Sequence, residues 1–183
     1  MLERAAAIAM NVPTLVRAAV LVPLLLAPER DDIQVVLTRR RADLRRHAGE
    51  ISFPGGREDP QDADLAATAL REAEEEIGLP PTGVSLLGEL PPTPTFATNY
   101  VIHPFVGAIT APEQWHPSEG EVDAVLELSL GALARSKTRT RLTRRGITFE
   151  TDAYIVGEHL IWGATARILK ELFEQVDELL PRT

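Results

Sequence analysis

Hydrophobic and polar positions change period several times along this chain, and each change marks an element. Residues 18–26 and 33–38 are nearly continuous apolar runs separated by the polar turn 28–32, which reads as strand, turn, strand. Residues 84–90, 101–109 and 122–128 read as further strands, with a long Pro- and Thr-rich connection between the first two. Residues 139–145 and 147–154 form a predicted hairpin turning at Gly146. Helical spacing governs residues 65–77, stopped by Gly78 and Pro80, and residues 163–180, an amphipathic C-terminal helix. A short helix is predicted over 2–10, ahead of Pro13, and a helical turn over 130–137. Residues 39–47 are a basic loop, followed by the short apolar piece Ile51-Ser52-Phe53 that runs into Pro54-Gly55-Gly56. Strands interleaved with two substantial helices predict an α/β (α+β) fold, a mixed sheet flanked by helices. No repeat, low-complexity tract or linker breaks the pattern, so residues 1–183 are expected to form one domain.

Composition narrows the chemistry. The chain has 183 residues and no cysteine, which excludes disulfide scaffolds, thiolate nucleophiles and Cys-ligated metals. A net charge of −8 argues against general nucleic-acid binding. Of the 19 basic residues 17 are arginine, the side chain best suited to grip phosphate or carboxylate in a bidentate way, although coding bias toward arginine explains the ratio equally well. The most apolar run, 18–27, is about half the ~20 residues of a membrane-spanning helix and contains Pro23. Arg4 precedes apolar stretches, but Arg17 interrupts them and no small-residue cleavage site follows. These features predict a cytoplasmic protein with neither membrane nor nucleic-acid partners.

The segment Arg71-Glu72-Ala73-Glu74-Glu75-Glu76-Ile77-Gly78-Leu79 is the most informative. On a helix Glu72, Glu75 and Glu76 stand at i, i+3 and i+4 and share a face, while Leu65, Ala66, Ala69, Leu70, Ala73 and Ile77 form an adjacent apolar arc and Glu74 points elsewhere. Three like charges on one face repel unless neutralised. Clustered carboxylate oxygens suit a hard divalent cation such as Mg²⁺ or Mn²⁺; a solvated acidic face is the alternative for any Glu-rich helix. The glycine turn upstream is what favours the metal.

Gly56, five residues, Asp62, eight residues and then Arg71-Glu72-Ala73-Glu74-Glu75-Glu76-Ile77-Gly78-Leu79 strongly resemble the Nudix box, a loop–helix–loop that holds divalent metal for hydrolysis of nucleoside diphosphates linked to another moiety. Two positions depart from the general pattern: Asp62 stands where Glu is usual, and the spacer before Arg71 is eight residues rather than seven. A second stretch, Val36-Leu37-Thr38-Arg39-Arg40, then Arg45, Gly49 and Phe53-Pro54-Gly55-Gly56, is similar to the extended motif of Nudix coenzyme A diphosphatases, with Val36 replacing Leu and Arg41 replacing Ser. The longer spacer with Asp62 is typical of that branch. Ile161-Trp162-Gly163-Ala164-Thr165-Ala166 is similar to another segment of it.

The resemblance implies a Nudix-type α/β/α sandwich around a mixed sheet, and cleavage of the coenzyme A diphosphate to 3′,5′-ADP and 4′-phosphopantetheine. By the same resemblance Glu72 and Glu76 are metal ligands with Glu75 a third, and the Gly55 carbonyl completes the shell beside Gly56. A general base is sought among these acids or in Glu121. Arg71 pairs with Glu75 or an upstream acid to orient the helix. Arg40 and Arg45 are expected on substrate phosphates, against the plainer reading of five arginines in residues 39–46 as a solvated loop. Arg139, Arg141, Arg144 and Arg145 are assigned to the solvent face of the hairpin and Trp162 to the core; His47 is the one histidine near the substrate loop. The implied partner is a small-molecule substrate, with a homodimer left open. Two rival readings are a broader pyrophosphatase acting on ADP-ribose, NADH or dinucleoside polyphosphates, and a non-catalytic ligand-sensing Nudix domain.

Overall fold

The computed structural model describes residues 15–26, 32–44, 47–95, 99–144 and 146–179. The helix predicted over 2–10, Arg45, Arg145 and most of the turn 28–32 lie outside the described residues. The elements in chain order are β1 (Val16–Leu25), β2 (Gln34–Arg40), β3 (Ile51–Ser52), β4 (Gly55–Arg57), α1 (Leu65–Ile77), β5 (Val84–Glu89), β6 (Thr93–Pro94), β7 (Tyr100–Ile109), β8 (Val122–Ser129), α2 (Leu130–Arg135), β9 (Lys137–Arg144), β10 (Ile147–Val156), β11 (His159–Trp162) and α3 (Gly163–Leu179). This is a mixed α+β fold. β1 and β7 run parallel from Val16↔Tyr100 to Leu25↔Ile109, and their other neighbours are antiparallel. β9, β10 and β11 make a separate antiparallel sheet.

Period-2 alternation along β1 and β2 divides the core in two. Val22, Leu24, Val35 and Leu37 face α3 and the small sheet, packing with Tyr154, Ile161, Ile168, Leu169 and Leu172. Ala19, Leu21, Leu25 and Val36 face α1, meeting Leu65, Ala69, Ala73 and Ile77. The small side chains Ala19, Ala69 and Ala73, all fully buried, let the helix lie close to the sheet.

The feature that positions the site is a split in the sheet. β1 and β2 pair only at Leu24↔Val35 and Leu25↔Gln34 and then part. Residues 51–57 fill the gap: β3 pairs with β2 at Thr38↔Ser52, and β4 pairs with β1 at Val20↔Gly55 and Ala19↔Gly56. The Leu21 N–H donates to the Pro54 carbonyl at 2.9 Å, so odd-numbered N–H groups of β1 point toward the split. Pro23 falls on that side between the two partners of β1, where its missing donor leaves no ladder bond unmade.

The helix α1 matches its predicted bounds because its punctuation is local. The Asp64 side chain caps it by accepting from the Ala67 N–H at 2.8 Å. Gly78, at φ 71°, ends it in the left-handed conformation that glycine adopts without a Cβ penalty. Sequence reading missed β3, β4, β6 and β11, all of four residues or fewer; β3 and β4 are defined by partners far away in sequence, and β11 is the short return strand of a hairpin with β10.

Truncating Leu37, fully buried where β2 crosses the core, to Ala is expected to cost about 2–5 kcal/mol. That corresponds to a fall in Tm of roughly 5–15 °C in a thermal melt. Leu87→Ala, at a β5 side chain left 63% exposed, should change stability by no more than about 0.5 kcal/mol.

Candidate active site

Gly55 and Gly56 sit in the split directly beneath α1; at Gly55 a side chain would collide with backbone, and at Gly56 it would displace the Glu72 carboxylate. A Cβ on Gly55 would strike the Ala19 carbonyl oxygen and Val20; one on Gly56 would lie 2.5 Å from the Glu72 carboxylate. The turn therefore meets the acidic helix backbone-first. The Gly55 N–H donates to Glu76 Oε2 at 3.3 Å, and the Glu76 side chain is only 7% exposed.

Arg71 interlocks the loop and the helix. Its Nε and Nη2 donate to the two oxygens of Asp62 at 2.9 and 3.1 Å, a bidentate pair. Nη1 reaches Glu72 at 2.9 Å and Glu75 at 3.2 Å, and Nη2 also reaches the Arg57 carbonyl at 3.2 Å. Asp62 further accepts from the Thr68 hydroxyl and the Asp59 N–H. The guanidinium holds the Asp62 carboxyl well below its usual range, and Asp62 in turn holds Arg71 firmly protonated. Asp62, the residue that departs from the general Nudix pattern, thus has a defined task as the anchor of Arg71.

The three acids of the helix separate. Glu72 and Glu76 face the glycine turn, whereas Glu75 is 60% exposed and lies on the Arg71 side. Helical spacing alone puts all three on one face; Arg71 donates to both Glu72 at 2.9 Å and Glu75 at 3.2 Å, and what sets Glu75 apart is its exposure at the margin of that face. Burial raises the pKa of Glu72 and pushes that of Glu76 up to about 7, with Glu121 and the neighbouring helix acid adding to both shifts. Arg40, which loosely bridges Glu76 at 3.6 Å and Glu121 at 3.5 Å, opposes the shift at Glu76. The Arg40 Nε is buried with no hydrogen-bond partner among the described residues.

Glu121 arrives by a long detour that sequence spacing does not reveal. The end of α1 is tied to the following loop by Ser118 N–H to the Glu76 carbonyl at 2.9 Å and His116 N–H to the Ile77 carbonyl at 3.1 Å. Glu121 N–H then bonds the Ser118 carbonyl, and the Arg41 N–H takes the Glu121 carbonyl, so the loop closes over the Arg40 side of the site. Away from the turn, His47 pairs with Glu50 at 2.7 Å, and Arg139 and Arg141 pair with Glu150 on the hairpin.

The donor set suits a hard cation: two poorly solvated carboxylates side by side, with main-chain groups of a glycine turn between them. Among the described residues no three Asp, Glu or His side chains are already gathered as a metal cage. The acids lean instead on Arg71 and Arg40, and an ion would have to compete with those contacts.

Fold and site together define a hydrolase whose acidic helix faces a glycine turn. The NUDIX domain family model matches residues 15–148, and the chain belongs to the Nudix hydrolase family. It is 42% identical over 164 residues to the uncharacterized Nudix hydrolase NudL of Cronobacter sakazakii, covering 88% of this chain and 83% of that one. The NudL of Photorhabdus laumondii is 41% identical over 161 residues, covering 87% and 84%. Among solved structures, the M. smegmatis Nudix hydrolase RenU aligns with a TM-score of 0.61 at 14% identity, covering 92% of this chain and 89% of that one. The Nudix domain of Shewanella oneidensis NrtR complexed with ADP ribose aligns at 0.56 and 13%, covering 88% of each. At those identities the likeness is one of fold. Among the described residues no helix is long and apolar enough to cross a membrane.

Glu76 makes stability depend on pH. Its folded-state pKa, about 7, lies above the ordinary 4.5, so its contribution is full below about pH 4.5 and is lost as pH rises through 7. In EDTA at pH 8.5, Glu76→Gln should melt several degrees above the parent chain, and the gap should close near pH 4.5. Adding Mn²⁺ should raise the Tm of the parent chain and do less for the variant. An unaltered gap across the pH range would contradict this.

Proposed function

We propose that this chain hydrolyses the diphosphate of coenzyme A or a close derivative, releasing 3′,5′-ADP and 4′-phosphopantetheine. The observation that carries the reading is the seating of the segment from Val36 to Gly56 in the split sheet. It joins the glycine turn to an arginine, Arg40, whose buried Nε has no hydrogen-bond partner among the described residues beside the acidic helix. The same segment carries the resemblance to the coenzyme A branch, and the NudL relatives share the chain nearly throughout.

Glu72 and Glu76 would hold a divalent cation, with main-chain groups of Gly55 and Gly56 beside them and Glu75 at the margin. Mg²⁺ or Mn²⁺, when bound, supplies charge for the phosphate oxygens and a more acidic water. Arg40 and Arg45 grip phosphate oxygens, where a guanidinium makes charge-assisted bonds. Water adds to one phosphorus, its proton passes to a carboxylate, and the bridging oxygen leaves with the electron pair of the broken P–O bond. Glu121 is the proton acceptor in this reading, since it stands at the open side of the site and is 54% exposed. Arg71 touches no reacting atom and acts by orienting Glu72. A second reading is a broader pyrophosphatase acting on ADP-ribose, NADH or dinucleoside polyphosphates; the NrtR domain complexed with ADP ribose and a C. elegans Ap4A hydrolase (TM-score 0.52, 18% identity) share this fold, which makes those substrates the ones to test beside coenzyme A.

Mass spectrometry of products from coenzyme A, ADP-ribose, NADH and Ap4A with Mn²⁺ separates the two. The proposal expects 3′,5′-ADP and 4′-phosphopantetheine from coenzyme A to form fastest. Glu76→Gln should lower kcat by about two to three orders of magnitude, while Glu74→Gln, off the site face, should stay within about twofold. Faster turnover of ADP-ribose or Ap4A would replace the substrate assignment, and equal losses in both variants would remove the role given to the helix face.

A further inference from the structure

On the other face of β2 from Glu76 lies a cavity of about 350 Å³ at the seam between the two sheets, lined by Arg39, Glu50, Arg144, Glu158, His159 and Trp162. One of these residues corrects the sequence reading: Trp162, expected in the core, is half-buried and lines the cavity, while Arg144 is exposed on the hairpin as expected. The Arg144 guanidinium lies over the Trp162 ring, 5.2 Å from its centroid, and Phe149 braces that ring at 6.0 Å. We infer that this cavity is the binding site for the purine base of a nucleotide, stacked on the Arg144–Trp162 pair.

The lining selects this chemistry. Arg39 is already paired with Asp123 at 2.8 Å, and Glu50 and Glu158 would repel a bare phosphate. An aliphatic group would strip water from the charged lining and offer it no hydrogen bond in return. A flat heterocycle meets both demands: its amino group can donate to Glu158, its ring nitrogens can accept from His159, and its face can stack. Among the described residues Arg144 has no carboxylate partner, so its guanidinium plane is available for stacking, a surface that arginine offers and lysine does not.

The cavity also connects to the carboxylate site. Arg39 and Arg40 are consecutive in β2 and project from opposite faces, one into the cavity and the other toward Glu76. The turn over residues 47–50 forms the rim between them, and at Gly49 a side chain would meet nothing within 4 Å. Under the diphosphate reading, a nucleotide would lie along this rim with its phosphates at Arg40 and its base at Trp162. This link rests on the diphosphate hydrolase reading; the base pocket itself does not.

The test is nucleotide binding to the metal-free chain in EDTA, where nothing is hydrolysed. The chain has two tryptophans, so Trp115→Phe leaves Trp162 as the sole indole reporter. AMP should quench its emission saturably, UMP several-fold more weakly, and ribose 5-phosphate not at all. Arg144→Ala should weaken AMP binding about tenfold, in line with the worth of a base-stacking contact. Calorimetry on the unaltered chain should return the same AMP constant, which guards against a perturbed Trp115→Phe fold. No saturable AMP binding, equal affinity for UMP, indifference to Arg144→Ala, or quenching by pantetheine instead would each overturn the assignment. AMP binding at Trp162 without cleavage of coenzyme A leaves the pocket standing and defeats the substrate proposal; cleavage without AMP binding at Trp162 does the reverse.

Discussion

The Arg71 guanidinium is the fixed point of the catalytic half of this molecule. It reaches Asp62, Glu72, Glu75 and the Arg57 carbonyl at once, so the β4 strand, the loop after it and α1 share one charge. Without it, Asp62 would be a nearly buried carboxylate with no countercharge, an arrangement that costs several kcal/mol when one partner is removed. The pair also sets an acid limit. Asp62 titrates below its ordinary range, so its stabilising contribution is present above about pH 4 and is lost as the pH falls. Lysine could supply the charge but not the bidentate geometry.

Arg71 neutralises one side of the acidic helix and leaves the other in deficit. Glu76 has a weak backbone donor at 3.3 Å and a distant Arg40 for company, and burial works against its charge. A site that stabilised the fold would bring a cation closer or replace the acid. The split sheet does neither; it brings main-chain groups of two glycines to the carboxylates and leaves room for no side chain. Stability is given up there in a form that, under the proposed function, a divalent ion would restore on binding.

What could be read from the sequence was whatever is encoded locally. The bounds of α1 followed from Asp64, Gly78 and the spacing of Leu65, Ala69, Ala73 and Ile77. The hairpin at Gly146 and the helix from Gly163 followed from similar signals. The split between β1 and β2 was hidden, because it depends on where residues 51–57 find partners rather than on their own pattern. Glu121 was singled out from its position before a strand, but its route to Arg40 runs through backbone bonds to the end of α1. The spacing of Glu72, Glu75 and Glu76 was sound as geometry and incomplete as electrostatics: helical periodicity gives direction, not how far each acid is buried. Arg144 and Trp162 are far apart in sequence and meet only because β10 carries the chain from one to the other.

The central claim is that Glu72 and Glu76, with the glycine turn, are held ready for a divalent cation while Glu75 stays at the exposed margin beside Arg71. Anomalous diffraction from crystals of the chain grown with Mn²⁺ tests it most directly. The account predicts the strongest anomalous peak between Glu72, Glu76 and the Gly55–Gly56 main chain, with Arg40 moved off Glu76 and Arg71 still on Asp62. A peak on Glu75 or Glu121 alone, with Glu72 and Glu76 still engaged by the two arginines, would contradict it.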